Sequence, residues 1–405
     1  MVARALACTL AIALLASVAS AGDVESAAVD PRAQLVEGNT QFALEFYRRV
    51  AQDGGNAVVS PLSVSVASAM LSAGARGSTE AEIARALDFG LPQPELHAAF
   101  RDLLSELQSR VARLVIAGGV WVDDECAIVP AFSDLLSSDY GATMEAVDFG
   151  EAPSEAARSI NEWVTRETQG KIPTVVDPSM FSNLTRLTLV STVYFLAAWE
   201  HSFPIGDTQE EPFHHLDGAA TDAPMMHRSC WVPYYEDEAV QVIALPYQGS
   251  DLSLVVFLPR ADSDLVAIEE QLSPDLLSKW IEGLSPRGVE VSVPRFESMC
   301  RVDLVPVLTD LGMKRAFLFG EADFTGICLG RDLFVSGAKH AVTLGITERG
   351  TEAAAATVYV ITEGVERQPE EFVEFRADRP FMYMVRDMLQ GSILFMGRVT
   401  DPTAG

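Results

Sequence analysis

Three observations predict an α+β fold. Apolar residues recur at helical spacing in the first half of the chain, they alternate at strand spacing in the second half, and the two patterns do not interleave as a βαβ repeat would. Phe42, Phe46, Tyr47 and Val50 share one face of a helix over residues 41–50. Pro61 opens an apolar helix through residue 73, with Ser60 at the capping position and Gly74 at its end. Thr79 and Glu82 have the spacing of a capping box for the next short helix. Ile160, Trp163 and Val164 define a further helical face that stops at Gly170. From Arg186 onward the period changes, and Leu187, Leu189, Val193 and Phe195 alternate with their neighbours. Residues 239–247 and 252–258 read as strands joined by the turn Gln248-Gly249-Ser250-Asp251, and residues 289–293 as another. Residues 381–385 and 393–399 read as a closing hairpin around Gln390-Gly391.

The 405 residues are 48% hydrophobic, enough for a large core, and no repeat or linker tract divides them. The formal net charge of −28, from 57 acidic and 29 basic side chains, argues against nucleic acid and anionic membranes as partners. No G-x-S-x-G, H-E-x-x-H, C-x-x-C or phosphate-binding glycine loop is present, so no catalytic centre, cofactor or metal is expected. His214-His215 reads as a solvated turn rather than a metal pair.

The first 21 residues read as a secretory signal peptide. Arg4 precedes an apolar run from Ala5 to Val18, and Ala19-Ser20-Ala21 fits a cleavage site before Gly22. The run is short for a membrane span, so a secreted, extracellular protein is expected, with residues 22–38 as an N-terminal extension. Removal of Cys8 leaves Cys126, Cys230, Cys300 and Cys328. Free buried thiols are the expectation, because a core this large needs no staple, and two bridges in any of three pairings are the alternative. Asn183-Leu184-Thr185 is a glycosylation sequon, with Asn183 as the acceptor.

One segment carries more than a structural pattern. Glu348-Arg349-Gly350-Thr351-Glu352-Ala353-Ala354-Ala355-Ala356-Thr357 joins a glycine hinge to small residues, and the strand formers Val358-Tyr359-Val360-Ile361-Thr362 follow. As a strand entering a sheet, it would bury alternate residues. Thr351, Ala353, Ala355, Thr357, Tyr359 and Ile361 form an uncharged set that suits the core, which leaves Glu352 in water.

This segment resembles the reactive-loop hinge of serpins, suicide inhibitors of serine and cysteine proteases. Further stretches resemble the same family, in order from about residue 39 to 402. They are Asn56-Ala57-Val58-Val59-Ser60-Pro61-Leu62-Ser63, Ile160-Asn161-Glu162-Trp163 through Thr168-Gln169-Gly170-Lys171-Ile172, Val193-Tyr194-Phe195 with Trp199 and then Pro224-Met225-Met226, and Phe375-Arg376-Ala377-Asp378-Arg379-Pro380-Phe381-Met382-Tyr383-Met384-Val385. The resemblance implies a single serpin domain over residues 39–405, with three β-sheets, about nine helices and a metastable state. Its reactive-centre loop, about residues 349–371, would be exposed. It implies a covalent complex with a target serine protease and a monomeric inhibitor. Counting from Glu348 puts the reactive bond at Gly364-Val365, with Glu363, Val365 and Arg367 as other candidate specificity residues. Ser60, Ser63, Ser191 and His340 would form the polar cluster under the opening point of the sheet, with Trp199 and Glu348 near its upper end. The family usually has asparagine at the place of Ser191, a longer side chain with more donors. Arg101, Arg110 and Arg113 are too scattered for the basic helix of heparin-activated relatives, so heparin binding is not expected. A non-inhibitory carrier, storage or chaperone role is the alternative.

Overall fold

In the computed structural model, residues 30–110, 113–261, 263–329, 333–351 and 372–404 are described. Nine α-helices lie among them: α1 (Pro31–Val50), α2 (Pro61–Gly74), α3 (Gly77–Ala86), α4 (Gln93–Arg110), α5 (Pro130–Tyr140), α6 (Pro153–Glu167), α7 (Leu265–Gln271), α8 (Pro274–Glu282) and α9 (Leu304–Asp310). The strands of the first half are β1 (Ala57–Val59), β2 (Leu114–Asp123), β3 (Thr143–Val147), β4 (Leu187–Phe195) and β5 (Ala197–Ala198). Then come β6 (Gln209–His214), β7 (Ala220–Glu236), β8 (Val240–Pro246), β9 (Leu252–Pro259), β10 (Ser285–Pro294) and β11 (Phe296–Asp303). The last are β12 (Gly337–Thr347), β13 (Gly350–Thr351), β14 (Val373–Arg376), β15 (Phe381–Asp387) and β16 (Ile393–Val399).

The segregation of helices and strands read from the sequence is present, and the closing hairpin is the antiparallel pair β15–β16. α1 begins ten residues ahead of the periodic stretch, because Asp30 accepts from the Arg32 amide and Pro31 sits at the first helical position. Ser60 caps α2 as expected, accepting from the Ser63 amide. The capping box does not form. Thr79 and Glu82 lie inside α3, where Thr79 accepts from the Asp323 amide and Glu82 from the amides of Lys314 and Arg315. Their side chains serve a distant loop rather than their own helix.

Three sheets were expected, and among the described residues two continuous ones form, of nine and seven strands. The 17-residue β7 explains the difference, because one end pairs with β6 and β10 and the other with β8. One strand thus fuses what would be two sheets. The seven-stranded sheet runs β3-β2-β4-β12-β13-β5, with β11 on the other edge of β12. Its strands β2 and β4 are almost wholly buried, which is why their apolar runs are nearly continuous. α6 lies across this sheet and closes a small second core, where Trp163 packs edge-on to Trp121 with ring centres 5.2 Å apart. The main core contains α1, α2, β15 and β16. Within it Arg398 meets Glu269 at 2.9 Å, and Tyr47 donates to the same carboxylate. Removing one member of such a buried set would leave the others without partners.

The cysteines correct the sequence reading. Cys126 and Cys328 form a disulfide, their Cα atoms 5.8 Å apart, and Cys230 and Cys300 are free. The bridge follows from local pairing that sequence distance hid. Ile128 forms an isolated β-bridge with Cys328, and the Val129 amide donates to the Ile327 carbonyl. The disulfide also ties the turn after β2 to a segment beside the end of α2. Cys126 follows β2, in a turn whose Asp124 amide bonds the end of β3. Cys328 lies in a segment bonded to the end of α2 through Gly74 and Gly326, ahead of β12.

A non-reduced digest is expected to yield a peptide pair joining Cys126 to Cys328, with Cys230 and Cys300 open to alkylation. Replacing both bridged cysteines by serine should lower stability by about 2–4 kcal/mol, read as a shift in urea midpoint. Recovery of Cys126 and Cys328 as alkylated thiols would overturn the assignment.

Candidate functional site

The site is a joint between two parallel strands. β4 and β12 are hydrogen-bonded only from Thr188 to Thr192 and from Gly337 to Ala341, with His340 opposite Ser191. Below this ladder the joint is fastened by side-chain and backbone bonds, since Ser336 Oγ accepts from the Arg186 amide and the Ser336 amide donates to Leu187. Above it the register ends. The upper parts of the two strands border a cleft of about 690 Å³, whose lining includes Lys171, Tyr194, Leu196, Arg295, Ile346 and Thr347.

Four of the anticipated side chains meet directly under the ladder. The Ser60 amide donates to His340 Nε2 at 3.1 Å, and Ser63 Oγ donates to the Ser60 carbonyl at 3.1 Å. Ser191 Oγ donates to Ser63 Oγ at 2.9 Å. All four residues are buried. Ser191 is therefore long enough for this contact, because α2 brings its first turn up against β4. His340 sits edge-on to Phe46, and burial pushes its pKa down to about 4, against a smaller upward pull from the Ser191 backbone. It is thus a neutral imidazole whose Nε2 accepts.

The hinge lies at the upper end. After β12 the chain turns back at Glu348-Arg349, and β13 pairs antiparallel with both β12 and β5. Gly350 has φ +148°, and a Cβ there would stand 2.0 Å from the Ala197 carbonyl oxygen. Only glycine fits this turn. Thr351 is fully buried, with its hydroxyl hydrogen-bonded to that of Tyr247. Its side chain thus faces the core. Trp199 holds the turn from the other side, donating from Nε1 to the Thr347 carbonyl at 2.8 Å and from its amide to the Arg349 carbonyl at 3.0 Å. Glu348 is buried and accepts from Thr208 Oγ1 at 2.9 Å and from Arg295 at 3.4 Å.

Trp199, Glu348, Gly350 and Thr351 therefore gather at the top of the joint, and Ser60, Ser63, Ser191 and His340 below. Glu352, Ala353, Ala354, Ala355, Ala356 and Thr357 lie outside the described residues, as do Glu363, Gly364, Val365, Arg367 and the first 21 residues. Asn183 is exposed, in the connection before β4. His215, of the paired histidines, bonds Thr221 Oγ1 and the Thr400 carbonyl. Sequence reasoning missed Tyr247, Thr208 and Arg295. Each is an ordinary residue in its own segment, and only the return of the hinge gives it a partner.

This arrangement has a known counterpart. A family profile described as Serpin (serine protease inhibitor) matches residues 37–402. The chain belongs to the serpin family. It is 36% identical to the leukocyte elastase inhibitor of Equus caballus, over 91% of this chain and all of that protein. Among solved structures, Serpin48 of the insect Tenebrio molitor, titled as highly specific, superposes with a TM-score of 0.82 at 32% identity, over 91% of this chain and 98% of that one. Human thyroxine-binding globulin, in complex with thyroxine, superposes with a TM-score of 0.83 at 27% identity, over 92% of this chain and 100% of that one. The α+β reading and the serpin resemblance thus hold for the whole matched span. The family is described by protease inhibition rather than by catalysis.

Because His340 is neutral when folded and protonates near 6.5 when unfolded, the unfolded serpin binds the extra proton between those values. Stability is therefore fully present above about pH 6.5 and falls toward pH 4, by about 3 kcal/mol from this group. His97 is pushed to about 4 by burial as well, so urea titrations should compare the parent with His340→Asn. The variant is expected to lose most of the His340 share of the slope; equal slopes would refute the assignment.

Proposed function

We propose that this serpin inhibits a serine protease as a suicide substrate. The observation that carries the reading is the half-closed joint. β4 and β12 stop pairing above Thr192 and Ala341, and β13 already points into the gap, antiparallel to its neighbours. Cleavage of the loop beyond Thr351 would free the chain to continue as a strand between them. Each added backbone bond contributes on the order of 1 kcal/mol net, with side-chain burial on top. A dozen residues then give on the order of 10 kcal/mol, enough to distort a protease held as an acyl-enzyme. Residues 353–356, all alanine, would thread without steric conflict.

The reactive bond is proposed at Gly364-Val365, with Glu363, Val365 and Arg367 as the other candidate specificity residues. Secretion is proposed from residues 1–21, and the Cys126–Cys328 disulfide supports an oxidising compartment. The exposure of Asn183 suits a glycosylated side chain. The protein is proposed to act as a monomer without heparin. Arg110 is held by Glu106, Asp251 and Asp387, and Arg101 by Asp102 and Asp139. A carrier role is the second reading, favoured by the likeness to thyroxine-binding globulin. The uncharged inward set of the hinge favours inhibition.

Incubation with elastase-, trypsin-, chymotrypsin- and subtilisin-type proteases is expected to give a complex that survives denaturing gels. Sequencing the released peptide then locates the bond. Thr351→Arg and Ala353→Asp should each convert trapping into plain cleavage. Unchanged stoichiometry in either variant, or no complex with any of the four classes, would sink the inhibitory reading.

A further inference from the structure

The hinge does not merely border the joint; its first two residues are already inside the sheet. Thr351 pairs with Ile346 on one side and Ala197 on the other, and none of its surface is exposed. A threonine hydroxyl in such a place needs a partner, and here that partner is the phenol of Tyr247. Tyr247 cannot easily follow if Thr351 leaves. Its ring stacks on Trp199 with centres 4.6 Å apart and meets Phe195 edge-on at 5.1 Å. Its amide donates to the Leu252 carbonyl, and the next amide, of Gln248, donates to Ala198 in β5. Trp199 is in turn fixed by the carbonyls of Thr347 and Arg349. The aromatic stack is therefore a rigid post: Trp199 holds the turn at Thr347 and Arg349, and the Tyr247 hydroxyl meets the Thr351 side chain.

We propose that Tyr247 is a positioning residue for loop insertion: its hydroxyl keeps Thr351 seated before cleavage and so gives the incoming strand its starting register. The inference rests on the insertion mechanism proposed above. Burial holds the phenol well above its ordinary range, so it stays an O–H group at working pH. Withdrawal of Thr351 leaves that hydroxyl buried beside two rings. Departure is thus disfavoured, and a freed loop enters from an occupied first position.

The test uses the full chain with three changes: Tyr247→Phe, Thr351→Val and the two combined. Each single variant strands one buried hydroxyl, whereas the double variant removes both and should be nearly neutral. In the intact inhibitor, without protease, amide hydrogen exchange over residues 346–351 should quicken roughly tenfold in Tyr247→Phe and return toward the parent rate in the double variant. With a protease that the parent traps, the number of inhibitor molecules cleaved per protease trapped should rise at least roughly twofold in Tyr247→Phe and recover in the double variant. Additive losses would mean that the two hydroxyls do not act together, and parent-like exchange in Tyr247→Phe would mean that the seat does not depend on the bond; either overturns the proposal. If the parent traps no protease, the inhibitory reading fails, while the exchange measurement still judges the seat on its own.

Discussion

Five paired residues between β4 and β12 hold the seven-stranded sheet shut, and the rest of the site is arranged around them. A parallel ladder this short contributes only a few kcal/mol at about 1 kcal/mol per bond. It is reinforced from below by Ser60, Ser63, Ser191 and His340, which tie the first turn of α2 to both strands through one chain of hydrogen bonds. Such a chain is worth most when complete, since each member is buried and a lost partner leaves an unsatisfied group. The joint is thus firm while the network is intact and opens at modest cost once it is broken.

The upper end shows the opposite balance. There the backbone ladder is missing between β4 and β12, and the two residues of β13, with the side chains around them, stand in for it. Glu348 takes bonds from Thr208 and Arg295, Trp199 clasps the turn through two carbonyls, and Thr351 rests against Tyr247. An edge of unpaired strand in a soluble protein invites another strand. Gly350 turns the hinge back toward the gap, and in the inhibitory reading proposed above the strand that answers is the chain's own loop.

Much of this was legible in advance, and the parts that were not have specific causes. The segregation of helical and strand periods gave the α+β class, since a buried face imposes its period on the residues that cover it. Ser60 was readable as a cap because Pro61 follows it. Thr79 and Glu82 misled because a capping box and a tertiary contact use the same atoms, and a distant loop competed successfully for them. The disulfide was not readable, since its cysteines are 202 residues apart and only the pairing of Ile128 with Cys328 brings them together. Ser60, Ser63, Ser191 and His340 were reached through family likeness; nothing in the local pattern of any one of them points to the other three. Tyr247 escaped notice because a tyrosine ending a strand is unremarked until something returns to touch it.

The placement of the Cys126–Cys328 bond has a mechanical consequence. It sits beyond the end of β2 that lies away from the hinge, and it links the turn after β2 to the segment bonded to the end of α2. Two plates riveted at one end can swing apart but cannot be pulled apart. Were the seam to open from the hinge end, as insertion would require, Ala341 and Thr192 would part before His340 and Ser191, and Gly337 and Thr188 last of all. Each further step would wedge against a shorter lever arm, so a shallow intruder and a deep one would meet unequal resistance from the same seam.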